Sequence, residues 1–583
     1  MNLDAPRMTL EVESLLGAYR AGLRPSQLAC ELLERLADAG GQPVWISRVP
    51  DEQLLARARE LDEAGPRGLA LYGVPFAVKD NIDVAGMPTS AGCPGFAYQA
   101  SVTAPVVQRL LNAGAMLIGK TNMDQFATGL VGTRSPYGAC SSVADPARVS
   151  GGSSSGSALA VALDFVAFAL GTDTAGSGRV PAAFNGLVGC KPTRGLLSTR
   201  GVVPACASLD CVSILTAGVA DAALVLNVAA GYDPDDLWSR PEPAFRAPRR
   251  ERVGVPRAGQ VGQEESAAAL AWAQALERAG ELWTLEEVDV EPLLEAAPLL
   301  YDAWIAERTA DLGEVIAAEP DGLDQTVAAL VLAGGELKAT DVFAASHSLQ
   351  RLMRDAGRIW ERVDALLLPT TALHPTHAEV AAEPVAANGR VGRLTNFVNL
   401  MDLSALALPG PVRGDNLPFG VTLHAPAHHD RRLLELGCAW SAEEAHISFP
   451  GLVKLAVAGA HMSGMPLNAR LTERGGRLLA RAATALCYRL YALGGERDEI
   501  PRPGLVRVGD GGASIEVELW ELAPAALGAL VAEVPAPLAI GRVELADGSE
   551  VSGFVCEAHG SDGARDISSY GGWRAFMESA VPA

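Results

Sequence analysis

The pattern that most constrains this chain begins at Leu71. Short apolar runs, each closed by a glycine or polar turn and followed by a helical stretch, recur as LYGVPFAVKD, AMLIGKTNMDQFATG and DFVAFALGTDTAGSGRVPAAF. That alternation predicts an α/β fold, a central sheet packed between helices. The first 70 residues read as helices instead. LEVESLLGAYRAG and SQLACELLERL carry apolar residues at helical spacing, with Ser26 placed as an N-cap. DALLLPTTA (364–372) and PFGVTLHAP (418–426) read as later strands of the same domain. The Pro/Arg-rich stretch 240–257 reads as a surface crossing within it, leading to a strand at RVGVP and a helix at ESAAALAWAQALERAG.

A boundary is expected near residues 440–455, where RRLLELGCAWSAEE runs out, giving domains 1–445 and 455–583. Beyond it LVRV and IEVELWEL flank GDGGAS, and another pair of alternating runs flanks Asp547 and Gly548; both read as hairpins. The tail is long enough for a small separate α+β or barrel-like domain.

Composition excludes several classes. With 69 acidic against 47 basic side chains the net charge is −22, which argues against a nucleic-acid partner. A chain 49% hydrophobic and 20% charged is globular. Its nine cysteines show no CxxC spacing and read as reduced thiols. The longest apolar stretch, 158–170, is interrupted by Asp164 and falls short of the roughly 20 residues of a membrane span. MNLDAPRMTLEVESLL carries acids where an export signal needs a basic start. The expectation is a soluble, cytoplasmic protein with no membrane partner.

The first histidine is His347, so over the preceding 346 residues proton transfer must use a carboxylate, a tyrosine, a cysteine or a lysine. The densest Gly/Ser patch, SGGSSSGSA (150–158), would be a linker in isolation. Here it runs into an apolar segment and then GTDTAGSGRVPAAF, read as a strand, a glycine turn and a helix start. Such a turn can aim several backbone N–H groups at one oxyanion, and Ser177 at its end is placed to attack a carbonyl. The phosphate-loop pattern GxxxxGK[ST] is absent, and the hydrolase elbow GxSxG is not formed around Ser177. A lysine base fits instead, provided burial keeps it neutral near pH 7. Lys79 and Lys120 each close an apolar run, and these considerations do not choose between them.

GVPFAVKDNIDVAGMPTSAG, SGGSSSGSA and GTDTAGSGRVPAAFNGLVGCKPT, in that order, closely resemble the amidase signature family over most of 70–220 and more loosely to about residue 440. The resemblance implies an amidase-signature fold, with a mixed central sheet covered by helices. It implies a Ser–cis-Ser–Lys triad, with the base on Lys79, the bridging serine on Ser153 and the nucleophile on Ser177. Backbone N–H groups of Thr174, Ala175, Gly176 and Ser177 would hold the oxyanion, and Asp173 and Arg179 would be structural. LLYDAWIAER (299–308) resembles the segment of allophanate hydrolases whose tyrosine and arginine grip the substrate, here Tyr301 and Arg308.

The tail, from LAVAGAHMSGMPLNARLTERG to GFVCEAHGSDGARDISSYGGWRAF, is similar to the C-terminal domain of allophanate hydrolases, related in fold to γ-glutamyl cyclotransferases. His461 is its candidate for chemistry, with Glu557 and His559 behind it. Taken whole, the resemblance implies hydrolysis of allophanate with release of ammonia, then decarboxylation of N-carboxycarbamate in the tail, with no metal or organic cofactor. It also implies a homodimer. No biotin-attachment motif is seen, so a separate urea carboxylase or a biuret-producing enzyme would supply the substrate. The competing readings are an amidase of other specificity or a transamidating subunit, with the tail a non-catalytic dimerisation or binding module.

Overall fold

In this computed structural model, residues 10–37, 41–244, 252–445, 447, 451–494 and 502–580 are described. The chain divides into two compact units, one formed by 1–242 and 250–448, the other by 243–249 and 449–583.

The first unit is built on an eleven-stranded sheet. From edge to edge it runs Trp45–Arg48, Met116–Thr121, Pro75–Lys79, Phe168–Thr172, Val212–Thr216, Val188–Lys191, Leu403–Pro409, Gly420–Pro426, Ala365–Pro369, Arg252–Pro256 and Thr284–Val288. The sheet is mixed. Pro75–Lys79 lies parallel to both its neighbours, whereas Gly420–Pro426 is antiparallel to both of its own. Its central strands are buried along their length, which is why they read as continuous apolar runs.

One pairing sets up the chemistry. Pro75–Lys79 and Phe168–Thr172 are parallel with Val78 opposite Leu170, so their carboxyl ends, Lys79 and Thr172, emerge together. The helix Ser155–Ala162 begins within the Gly/Ser patch, two residues after Ser153, and the helix Arg179–Phe184 begins two residues after Ser177. Ligand sites in α/β sheets form where such strand ends and helix starts face each other.

Several expectations are corrected. The N-terminal region is helical at Val12–Arg20, Pro25–Ala37 and Asp51–Ala64, but it also supplies the edge strand Trp45–Arg48. Ser26 is not an N-cap: the helix starts at Pro25, and the Ser26 hydroxyl donates to Asp62 Oδ2 at 2.5 Å, tying two helices together. Of the proposed crossing, residues 245–251 lie outside the described residues, as do the first nine of the chain and most of 446–450. The strand and helix expected after the crossing are present as Arg252–Pro256 and Ser266–Leu282.

The second unit holds a five-stranded sheet, ordered Arg477–Ala483, Glu516–Leu522, Val453–Val457, Glu550–Cys556 and Leu538–Glu544, and a three-stranded one, ordered Arg502–Arg507, Tyr488–Leu493 and Arg565–Asp566. Tyr488, Leu490, Val517, Trp573 and Phe576 belong to its main core. The hairpin around Asp547 and Gly548 forms, with Gly548 at φ +82 and Asp547 Oδ1 accepting from Ser549 N–H. The one expected around GDGGAS does not. Arg502–Arg507 pairs with Tyr488–Leu493, while Glu516–Leu522 belongs to the other sheet. The connecting chain crosses between sheets, bonding Ala513 N–H to Tyr488 O (2.7 Å) and Ile515 N–H to Thr484 Oγ1 (3.0 Å). Among the described residues no helix is long and apolar enough to cross a membrane.

Candidate active site

Lys79 ends a strand whose five residues are all buried. Its Nζ donates to Ser153 Oγ at 2.8 Å and to Thr172 Oγ1 at 2.7 Å. Burial disfavours its ammonium and brings its pKa down to about 7, against the pull of Asp124, Asp210 and Asp173. The group is therefore poised to hold or release a proton near neutrality. Lys120, open as an alternative on sequence grounds, is equally buried but engaged elsewhere. Its Nζ donates to Thr89 Oγ1 (2.6 Å) and Pro88 O (2.9 Å) and pairs with Asp80 at 3.5 Å. Lys191 is also buried and donates to Pro192 O.

Ser153 follows a cis peptide bond from Gly152. The peptide is held on both sides: Gly152 N–H donates to Leu130 O (2.9 Å), and Ser153 O accepts from Asp124 N–H (3.2 Å). Ser177 lies across the strap, its carbonyl accepting from Ser154 N–H at 3.3 Å. Its hydroxyl donates to Gly129 O at 3.4 Å rather than to Ser153. A bond of that length is weak, and rotation about one side-chain torsion redirects it.

The turn before Ser177 is shaped by a buried ion pair. Asp173 and Arg179 are fully buried and joined by two bonds of 2.9 Å, and Arg179 also donates to Thr395 O at 3.3 Å. Burial alone would raise the Asp173 pKa, but the Arg179 charge and hydrogen bonds overcome it and hold the carboxyl below its usual range. Asn399 Nδ2 fixes the turn further by donating to Asp173 O at 2.7 Å. Gly176 sits at φ +134, where a Cβ would lie 2.5 Å from Thr395 Oγ1.

One expected oxyanion donor is corrected. Gly176 N–H is spent, donating to Asp173 Oδ1 at 2.8 Å, because the carboxylate that splints the turn caps it from inside. The N–H groups of Thr174, Ala175 and Ser177 make no hydrogen bond among the described residues. These three remain able to receive an oxyanion.

Arg308 comes to this region from the helix Ile305–Ala317. It is buried, donates to Thr128 Oγ1 at 2.5 Å, and has no ion pair among the described residues. Thr128 adjoins Gly129, so the guanidinium acts on the loop that receives the Ser177 hydroxyl. Tyr301, on the short helix Leu299–Asp302, packs against the core cluster containing Ala175 and Val180. Thr172 and Asn399, which hold Lys79 and the turn, were not anticipated. For Thr172, its place at the end of a strand adjoining Lys79 was the available signal.

The second unit contains a separate cavity of about 300 Å³, lined in part by His461, Arg470, Arg502, Leu505, Glu533 and Phe554. His461 stacks on Phe554 at 4.9 Å, and its Nε2 is buried without a hydrogen bond among the described residues. Burial, with Arg470 and Arg474 adding to it and Glu533 opposing, brings its pKa down to about 4. Glu557 and His559 do not line this cavity. They are exposed and lie 3.5 Å from each other.

Known proteins share both the site-bearing unit and the tail. Residues 30–434 match the amidase family model, and 453–578 match that of the allophanate hydrolase C-terminal domain. Urea amidolyase of Saccharomyces cerevisiae is 42% identical over 95% of this chain, which spans only 32% of that protein's length. A glutamyl-tRNA(Gln) amidotransferase subunit of Thermus thermophilus is 34% identical, over 74% of this chain and 97% of its own. A solved structure of Kluyveromyces lactis allophanate hydrolase superimposes with a TM-score of 0.85 at 38% identity, covering 98% of this chain and 99% of that one. Structure and sequence therefore agree that the chain belongs to the amidase family and carries an allophanate hydrolase C-terminal domain after the amidase domain.

Proposed function

We propose that this protein is an allophanate hydrolase, an amide hydrolase working through Lys79, Ser153 and Ser177. The observation that carries the reading is the 2.8 Å contact between a fully buried Lys79 Nζ and Ser153 Oγ, with the base brought to a pKa of about 7. Neutral Lys79 takes a proton from Ser153 as Ser153 takes one from Ser177, whose hydroxyl turns from Gly129 O to do so. The Ser177 oxygen attacks the carbonyl bearing the terminal amide. The negative charge that develops is received by the N–H groups of Thr174, Ala175 and Ser177. The proton returns along the same path to the amine, ammonia leaves, and an acyl group remains on Ser177. Water then attacks that acyl group by the same relay, releasing N-carboxycarbamate.

The preference for allophanate follows from Arg308. A buried guanidinium with no carboxylate in direct contact among the described residues, its charge reaching Asp210 only at longer range, favours an anionic substrate, and its planar fork pairs with a carboxylate through two bonds. Tyr301 is the second substrate contact on this reading. In the tail, the cavity at His461 receives N-carboxycarbamate and promotes its decarboxylation. Arg470 and Arg502 supply positive charge to a dianion there, and His461 stays neutral at pH 7. Carbamate then decomposes to ammonia and carbon dioxide.

A panel of allophanate, biuret, malonamate and simple aliphatic amides, scored by ammonia released, tests the assignment. Allophanate should be turned over far faster than the neutral amides. Comparable rates across the panel would instead make the protein an amidase of broad specificity.

A further inference from the structure

The loop that follows the strand Met116–Thr121 contains a buried acid that takes no part in the proton relay. Asp124 is fully buried, yet among the described residues it forms no direct ion pair. Its Oδ1 accepts from Arg134 N–H at 2.8 Å and its Oδ2 from Gly132 N–H at 2.9 Å, so the loop curls around the carboxylate. Two glycines make room for it. A Cβ on Gly129 would lie 2.6 Å from Asp124 Oδ2, and one on Gly152 would collide with the same oxygen. These are the glycine whose carbonyl receives the Ser177 hydroxyl and the glycine that carries Ser153 through the cis peptide. The Asp124 backbone N–H closes the arrangement on Ser153 O. Between Asp124 and Gly129 the chain is forced into positive φ at Phe126 (+49) and Ala127 (+51). Side-chain-bearing residues adopt that conformation only where their surroundings hold them in it.

We propose that Asp124 is a positioning residue of the hydrolytic site, its carboxylate locking the carbonyl that receives Ser177 and the peptide that carries Ser153 into one frame. The inference rests on the assignment of Lys79, Ser153 and Ser177 made above. Electrostatics gives it a second consequence. Among the carboxylates acting on Lys79, Asp124 pulls hardest toward the protonated form, ahead of Asp210 and Asp173. Burial raises the Asp124 pKa, opposed by the charges of Arg134 and Lys79 and by the two N–H bonds. Every hydrogen-bonding neighbour of its two oxygens is a donor, the pattern of an ionised carboxylate. Asp124 thus holds the serines in place and keeps burial from lowering the base further.

The test is Asp124→Asn in the full-length protein, with ammonia release from allophanate measured across the acid limb of the pH profile. Loss of the frame should lower kcat by about 100-fold with little change in KM, the scale expected when reacting groups shift by an ångström. Loss of the negative charge should move the acid limb to lower pH by about one unit, because protonated Lys79 has lost a partner. A folded variant with unchanged kcat overturns the proposal, as does one whose kcat falls while the limb stays in place. If Asp124→Asn does not fold, Gly152→Ala displaces the same carboxylate with its charge kept. It should lower kcat while leaving the limb near its original pH, and wild-type kcat overturns the proposal. Ser177→Ala in the same assay separates the two claims. Residual turnover there removes the site assignment, whereas a dead Ser177→Ala beside a normal Asp124→Asn removes only the role of Asp124.

Discussion

A lysine serves as a base near neutrality only where its ammonium is costly, and at Lys79 burial imposes that cost. The sign of the pH dependence follows. Below a pKa of about 7 the group is charged and cannot accept the Ser153 proton; above it the group is neutral and can. The rate of ammonia release should therefore climb as pH rises through about 7, and a kcat/KM profile that is flat or falling there contradicts the assignment. Arg308→Ala should lower kcat/KM for allophanate by about 100-fold or more, as loss of a buried charge pair does, and damage turnover of a neutral amide far less. Equal losses on both substrates would show that Arg308 grips no carboxylate. The sequence excluded a histidine before residue 347 and made a lysine base fit, but could not by itself separate Lys79 from Lys120. Both lie at or next to the carboxyl end of buried, mutually parallel strands, and what distinguishes them is which hydroxyls lie within reach: Ser153 and Thr172 for one, Thr89 for the other. Those partners are 74 and 93 residues from Lys79, beyond the reach of any local pattern.

The element that shapes the site is the turn from Asp173 to Arg179, splinted by its own ends. Arg179→Met would leave Asp173 buried without its counterion, a change that costs about 3–5 kcal/mol in comparable pairs. Urea unfolding should show it, and a change under about 1 kcal/mol would mean that the ion pair is not what holds the turn. This element was largely legible in advance, because strand, glycine turn and helix start succeed one another within GTDTAGSGRVPAAF. The allocation of its N–H groups was not. Gly176 lost its place among the oxyanion donors because a carboxylate three residues earlier folds back onto it. The same distinction governs the tail hairpins. Asp547 and Gly548 belong to a short turn between Glu544 and Glu550, closed by Gly548 N–H on Leu545 O at 2.9 Å, that fixes its own register, whereas the longer GDGGAS segment leaves its strands free to pair elsewhere.

At the scale of the molecule the chain joins two units, the first built on one large sheet and the second on two smaller ones, each with its own candidate site. If they act in sequence, His461→Ala should leave the first ammonia release from allophanate intact and slow the formation of carbon dioxide. An equal loss of both would mean that His461 serves the first reaction or the fold, and unchanged carbon dioxide release would exclude it from the second. The α/β unit was foreseen from its periodicity, and the tail cavity was not. His461 was visible as a motif, but Arg470, Glu533 and Phe554 converge on it from different elements. The measurement that most directly tests the account is steady-state ammonia release from allophanate by full-length Ser177→Ala, compared with the unmodified protein. A loss of about 10⁴-fold or more is expected, as for nucleophiles in related chemistry; turnover within tenfold of the unmodified protein would show that Ser177 is not the nucleophile.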